Sequence, residues 1–202
     1  LKNDAEGIGL FRTEYVYLSS NKLPTLEEQY RIYRDAVRKV DGKIIVFRTA
    51  DLGGDKQAPY LEFNPSINPS MGSRGIRFSM CYKHIFKDQL KALYRAAYYG
   101  NGNVKVMFPM VSKMDELDWI EEVSEEVVDE LKWESFDYSI PELGVVIETP
   151  AAALLADEIA DRVDFLSIGT NDLSQFLYAI DRMSQNVSLE DYDDEAIRRV
   201  IE

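Results

Sequence analysis

Five short apolar runs punctuate the chain: GIGLF before Arg12, KIIVF before Arg48, KVMFPM ending at Met110, LGVVI before Glu148, and FLSIG before Thr170-Asn171-Asp172. Long amphipathic stretches separate them. Strands that are apolar throughout are expected in a parallel sheet covered by helices, where polar groups at the carboxyl ends of successive strands collect on one rim. That rim is where such folds do chemistry.

The segments between the runs predict the rest. TEYVYLSSNKLP reads as a long connection. TLEEQYRIYRDAVRKV reads as a helix with Thr25 at its cap, Glu28 three residues later and Gly42 after its end. DLGGDKQAPYLEFNPSINPSMGSRGIR is a loop dense in Gly, Pro and Asn, and a connection of that length inside a compact domain is usually functional or disordered. Helices are predicted from about Cys81 to Tyr99, over SKMDELDWIEEVSEEVVDELKWE with Trp119 and Val123 on its apolar side, and over the Pro150-led PAAALLADEIADR. A polar turn, TNDLSQ, opens one more. The β-α alternation runs without a break, so one domain with no linker is expected.

Two hundred and two residues suffice for one substantial core and fall short of the roughly 250 of a closed eight-stranded α/β barrel. With Leu1 at the start and GIGLF following almost at once, the chain reads as a piece of a longer protein. The formal net charge of -13, from 23 basic and 36 acidic residues, argues against partnership with nucleic acid or an anionic membrane. A single cysteine, Cys81, excludes an internal disulfide framework and fits a reducing cytosol. No apolar run approaches the roughly eighteen residues of a membrane span, so the expected location is cytoplasmic.

Several residues have the chemistry for a site. Glu148 and Asp172 end successive strands, where two carboxylates suit Mg²⁺, a cation that takes hard oxygen ligands and keeps water or phosphate in its remaining positions. The competing reading makes each acid a helix cap. Arg12 and Arg48 end adjacent strands and Arg74 lies in the Gly-rich loop; guanidinium groups hold phosphate or carboxylate through paired hydrogen bonds, although each could equally pair with one of the many acids. Gly53-Gly54 ahead of Asp55-Lys56 would let backbone N–H groups approach an anion beside a lysine, yet is equally a turn. His84 reads as a surface or capping residue and Cys81 as a packing residue.

The motifs GIGLFRTEYVY, RTADLGGDK, NPSMGSRGIR, MFPMV, ETPAAALLADEIA and DFLSIGTNDLSQF, in this order, resemble enzyme I of the bacterial sugar phosphotransferase system from Gly7 to about Arg182. ETPAAA and SIGTNDLSQ also resemble pyruvate phosphate dikinase and phosphoenolpyruvate synthase, from which RTADLGGDK separates the chain. The resemblance implies an α/β fold, a parallel (β/α)₈ barrel that binds phosphoenolpyruvate (PEP), present incompletely as about the second to sixth strands over residues 1–202.

Carried over motif by motif, the resemblance makes Glu148 and Asp172 ligands of Mg²⁺. Arg12, Arg48, Asn171 and Arg182 would contact PEP, with Lys56 and Arg74 at its phosphate. It places the phosphoryl-accepting histidine in an N-terminal phosphohistidine domain and the enolate-protonating cysteine beyond the last residue, so that neither His84 nor Cys81 is catalytic. It further implies transfer onward to a phosphocarrier protein and a homodimer. The alternatives are a dikinase or synthase barrel, and a non-catalytic module that senses PEP.

Overall fold

The computed structural model describes residues 4–54, 56–61, 67–181, 184 and 195–202. Every apolar run is a strand: β1 is Gly7–Arg12, β2 Ile44–Arg48, β3 Val104–Phe108, β4 Glu142–Ile147 and β5 Phe165–Ile168. All neighbours pair in parallel and the spatial order is β1-β2-β3-β4-β5, the order of the sequence. Strand order that never reverses belongs to a barrel wall rather than to a doubly wound sheet. The five strands form a curled half-barrel with flanking helices, as the barrel expectation required.

The connection after Arg12 is not plain loop: it holds α1, Glu14–Leu18, before α2, Leu26–Lys39. The capping box at α2 forms as predicted, with the Glu28 backbone N–H donating to Thr25 Oγ1 at 3.2 Å and Thr25 N–H donating to Glu28 Oε2 at 2.8 Å. Thr25→Ala removes half of that exchange. It should cost about 1 kcal/mol and lower Tm by roughly 2–4 °C in a thermal melt.

The helix predicted from Cys81 is two helices. A short 3₁₀ turn at Pro69–Met71 leads to α3, Ile76–Cys81, and α4 runs over Lys83–Ala97; Tyr82, at φ -124° and ψ 55°, breaks the path between them. After β3 comes α5, Met114–Trp133. The Pro150-led stretch is likewise divided at Leu155 into α6, Pro150–Leu154, and α7, Ala156–Ala160. Beyond β5, α8 spans Thr170–Leu177, and α9 spans Glu195–Ile201. No helix among the described residues is long and apolar enough to cross a membrane.

Packing follows the pleat. Ile45, Phe47, Val106, Phe108, Val145 and Ile147 face the helices, where Tyr33, Val37, Leu90, Leu93, Ile120 and Val123 complete the main core. Phe86 stacks on Trp119 with centroids 5.1 Å apart, joining α4 to α5. Lysines 83, 87 and 91 on α4 meet glutamates 126 and 130 on α5 and Glu134 at its C-cap, both series stepping by one helical turn. On the opposite face of the sheet Val46, Met107 and Val146 form a second, small cluster. Beside it Leu10 and Ile168, on the two edge strands, stay exposed.

Candidate functional site

The carboxyl ends of the strands surround a cavity of about 450 Å³. Pairing puts Arg12 opposite Arg48 and Ile147 opposite Ile168, so the residues just past these ends meet at one level. Arg12, Arg48, Lys56, Glu148, Asn171 and Asp172 all line the cavity. Its floor is apolar, from Leu10, Met107 and Val146. Strand register is the reason these residues converge.

Arg12 is exposed at the mouth and makes no ion pair with a described residue. Arg48 is buried, and its Nη2 donates to Glu14 Oε1 at 2.6 Å and lies 3.2 Å from Asp51 Oδ2. Its Nε has no hydrogen-bond partner among the described residues. Lys56 Nζ donates to Asp51 Oδ2 at 2.8 Å and stands 3.5 Å from Glu14. Arg74 is almost completely buried, lies behind the cavity wall, and divides its hydrogen bonds between Asp51 and Asp172. Arg182, expected to contact an anion, lies outside the described residues.

Asp51 is the hub of these contacts and was missed in the sequence, as was Glu14. Burial would raise the Asp51 pKa, but hydrogen bonds from Arg74 and the charges of Arg74, Arg48 and Lys56 outweigh it and hold the carboxyl far below its usual range. The signal was available in principle: a buried arginine requires a buried counter-charge, and Glu14 follows Arg12 by two residues while Asp51 follows Arg48 by three. A polar relay fixes this corner. Thr13 Oγ1 donates to the Arg48 carbonyl at 2.7 Å, Gln89 Nε2 donates to Thr13 Oγ1 at 3.1 Å, and Ala50 N–H donates to Gln89 Oε1 at 2.9 Å.

In the Gly-Gly turn the backbone N–H groups of Gly53 and Lys56 are spent within the turn and are not free for an anion. Gly53 and Lys56 exchange backbone hydrogen bonds of 2.9 and 3.0 Å, folding the turn back on itself. Gly53 has φ +98°, and a Cβ there would lie 2.1 Å from the Ser73 carbonyl oxygen. Its glycine serves close approach to the Arg74 segment while returning Lys56 to the rim.

Neither acid at the end of β4 and β5 is a helix cap. Thr149 caps α6 through its side chain, with Ala152 N–H donating at 3.1 Å, and Asp172 sits inside the first turn of α8, whose cap position is Gly169. Glu148 is buried and accepts a 2.8 Å hydrogen bond from Met110 N–H, which Met110 presents from a left-handed conformation at φ 63°. A residue held in that region at a site rim is stored strain. Burial first, then the negative charges of Asp172 and Asp51, push the Glu148 pKa from 4.5 up to about 7, against the opposing charge of Arg48. Glu148 and Asp172 bring two carboxylates to one cavity, the hard-oxygen donor type that a divalent cation takes. By donor type they suit Mg²⁺, and no cluster of three or more His, Cys, Asp or Glu side chains suited to a metal occurs among the described residues.

His84 and Cys81 lie outside the cavity lining and both are exposed, so the packing role expected for Cys81 does not hold. Residues 1–202 match the family model of the PEP-utilising enzymes, specifically their PEP-binding domain. The chain belongs to this family.

Relatives among PEP-utilising enzymes include the phosphoenolpyruvate-protein phosphotransferases of Mycoplasma capricolum, 46% identical over 93% of this chain and 32% of the relative, and of Staphylococcus aureus, 46% over 93% and 33%. The Listeria monocytogenes phosphotransferase is 45% identical over 93% of this chain and 33% of its own. The PEP-binding domain described here thus spans about a third of the length of these relatives. Its barrel wall and strand-end site are what the family match covers.

Proposed function

We propose that the cavity binds PEP with Mg²⁺ and forms the substrate half of a phosphotransferase that moves the phosphoryl group of PEP to a protein histidine. The observation that supports this most directly is the division of one cavity into a cationic side, Arg12, Arg48 and Lys56, and a carboxylate side, Glu148 and Asp172. A small trianion with a metal matches that division, and a neutral substrate does not.

Phosphoryl transfer depends on positioning and charge neutralisation more than on covalent help from the protein. Glu148 and Asp172 would hold the metal, which when bound neutralises charge on the substrate oxygens. Arg12 and Arg48 hold the phosphate, and the unpartnered Nε marks unspent donor capacity at Arg48. Lys56 adds a point charge, and the Asn171 amide hydrogen-bonds the bound anion. Arg74 supports the phosphate subsite from behind, through Asp51, which also holds Arg48 and Lys56.

In the reaction the bond from phosphorus to the enol oxygen breaks, a bond from phosphorus to a histidine nitrogen forms, and the enolate takes a proton to become pyruvate. Neither His84 nor Cys81 is placed for these steps, so acceptor and proton donor come from elsewhere in the parent protein. The same reading includes transfer onward to a phosphocarrier protein, homodimerisation and a cytoplasmic site of action.

Titration calorimetry with PEP tests the core of the proposal. Binding is expected in the presence of Mg²⁺ and should weaken by more than about tenfold in EDTA, since a cation is needed to offset repulsion between the anion and two carboxylates. PEP affinity indifferent to the metal would refute it.

A further inference from the structure

We propose that Arg74 is the resident counter-cation of this site, a fixed positive charge that holds Asp172 and Asp51 together and restrains divalent-cation binding while the anion is absent. The inference rests on the reading of Glu148 and Asp172 as cation ligands.

Arg74 makes every geometric use of a guanidinium fork. Nε and Nη2 donate to Asp51 Oδ1 and Oδ2, both at 2.9 Å, while Nη1 and Nη2 donate to Asp172 Oδ1 and Oδ2 at 2.8 and 3.1 Å. Planar, bidentate pairing on two sides is available to arginine and not to lysine. Only 1% of the residue is exposed, and it does not line the cavity.

It is also immobilised. The Gly53 turn packs against its backbone so closely that a Cβ at Gly53 would stand 3.0 Å from the Arg74 Cα, and one at Gly54 would stand 3.3 Å from its Cδ. Gly75, at φ +58°, abuts Met110, whose amide binds Glu148. The guanidinium is therefore a built-in charge next to the carboxylates, not an arm that swings towards a ligand.

Electrostatics fixes the consequences. Asp51 and Asp172 are paired with this charge, Arg48 and Lys56 share Asp51 with it, and Glu148 lies under the negative charges of the same two acids. A cation entering beside Asp172 meets a like charge already satisfied by that carboxylate, so it binds weakly alone. An anion in the cavity adds negative charge next to the same position and tightens it. The two ligands thereby favour one another, and the fixed charge of Arg74 keeps the metal weakly bound until its anion is present.

Neutralising Arg74 removes repulsion, whereas neutralising Asp51 leaves the arginine less compensated. Two disruptive substitutions should thus move cation affinity in opposite directions. With Mn²⁺ as the probe, followed by electron paramagnetic resonance in the absence of PEP, Arg74→Gln should bind roughly tenfold tighter than wild type and Asp51→Asn roughly tenfold weaker. Arg74→Lys, which keeps the charge, should not tighten. Circular dichroism verifies that each variant is folded. If Arg74→Gln does not fold, Asp51→Asn still decides: unchanged or tighter Mn²⁺ binding overturns the proposal. So does Arg74→Gln binding no tighter than wild type, which would make Arg74 an orienting group for Asp172 alone. Wild-type protein that binds no Mn²⁺ defeats the cation-site reading and this inference together.

Discussion

Replacement of Glu148 by glutamine should abolish the metal dependence of PEP binding and reduce affinity in saturating Mg²⁺ by at least about a hundredfold, roughly 3 kcal/mol. The substitution retains an acceptor for Met110 N–H and nearly the same shape, so the loss reflects the missing carboxylate charge. Stability should move the other way. In the folded protein the Glu148 pKa is raised to about 7 from 4.5, so the group is protonated below 4.5 in both folded and unfolded chains and adds no pH dependence there. Between 4.5 and about 7 the unfolded chain releases its proton while the folded one keeps it. Stability therefore falls across that window, by up to about 3 kcal/mol, and levels off above it. Denaturant unfolding at pH 5 and pH 8 without metal should show this loss in wild type relative to Glu148→Gln, with Mg²⁺ restoring stability at pH 8 in wild type only. Parallel pH profiles for the two proteins would show that Glu148 ionises freely and would remove the electrostatic case for a cation there.

The second large effect is expected at Arg48. Arg48→Met should weaken PEP binding by at least about a hundredfold and destabilise the fold by about 3–5 kcal/mol, the cost of leaving a buried charge unpaired. Asp51 would keep Arg74 and Lys56, while Glu14, almost fully buried and with Oε2 already lacking a partner, would keep only Lys56 at 3.5 Å. Most of the loss in stability should therefore be traceable to Glu14. Adding Glu14→Gln to Arg48→Met should recover much of the stability and none of the binding, a separation that thermal melts and calorimetry on the four members of the cycle would reveal. Equal stability of Arg48→Met and wild type would mean that the Glu14 pair contributes nothing.

Much of this site was legible because it depends on local pattern. Apolar runs identified the strands, and strand ends identified Arg12, Arg48, Glu148, Asn171 and Asp172 without any knowledge of contacts. Helix breaks at Tyr82 and Leu155 were not legible, since neither position carries Gly or Pro. The partnership of Arg74 was likewise hidden: it lies 23 positions from Asp51 and 98 from Asp172, and nothing in the sequence says that this arginine turns to carboxylates instead of the cavity.

The sequence alone determined the parallel α/β class, the order of the elements and the charged rim, because period and residue type act through neighbours along the chain. Tertiary structure decided which charges neutralise one another: Asp51 rather than a bound anion receives Arg74, Glu14 receives Arg48, and Glu148 remains under the repulsion of two acids. The physical reason is that ion pairing inside a protein depends on distance and burial, which strand register and the Gly53 turn set only once the chain has folded.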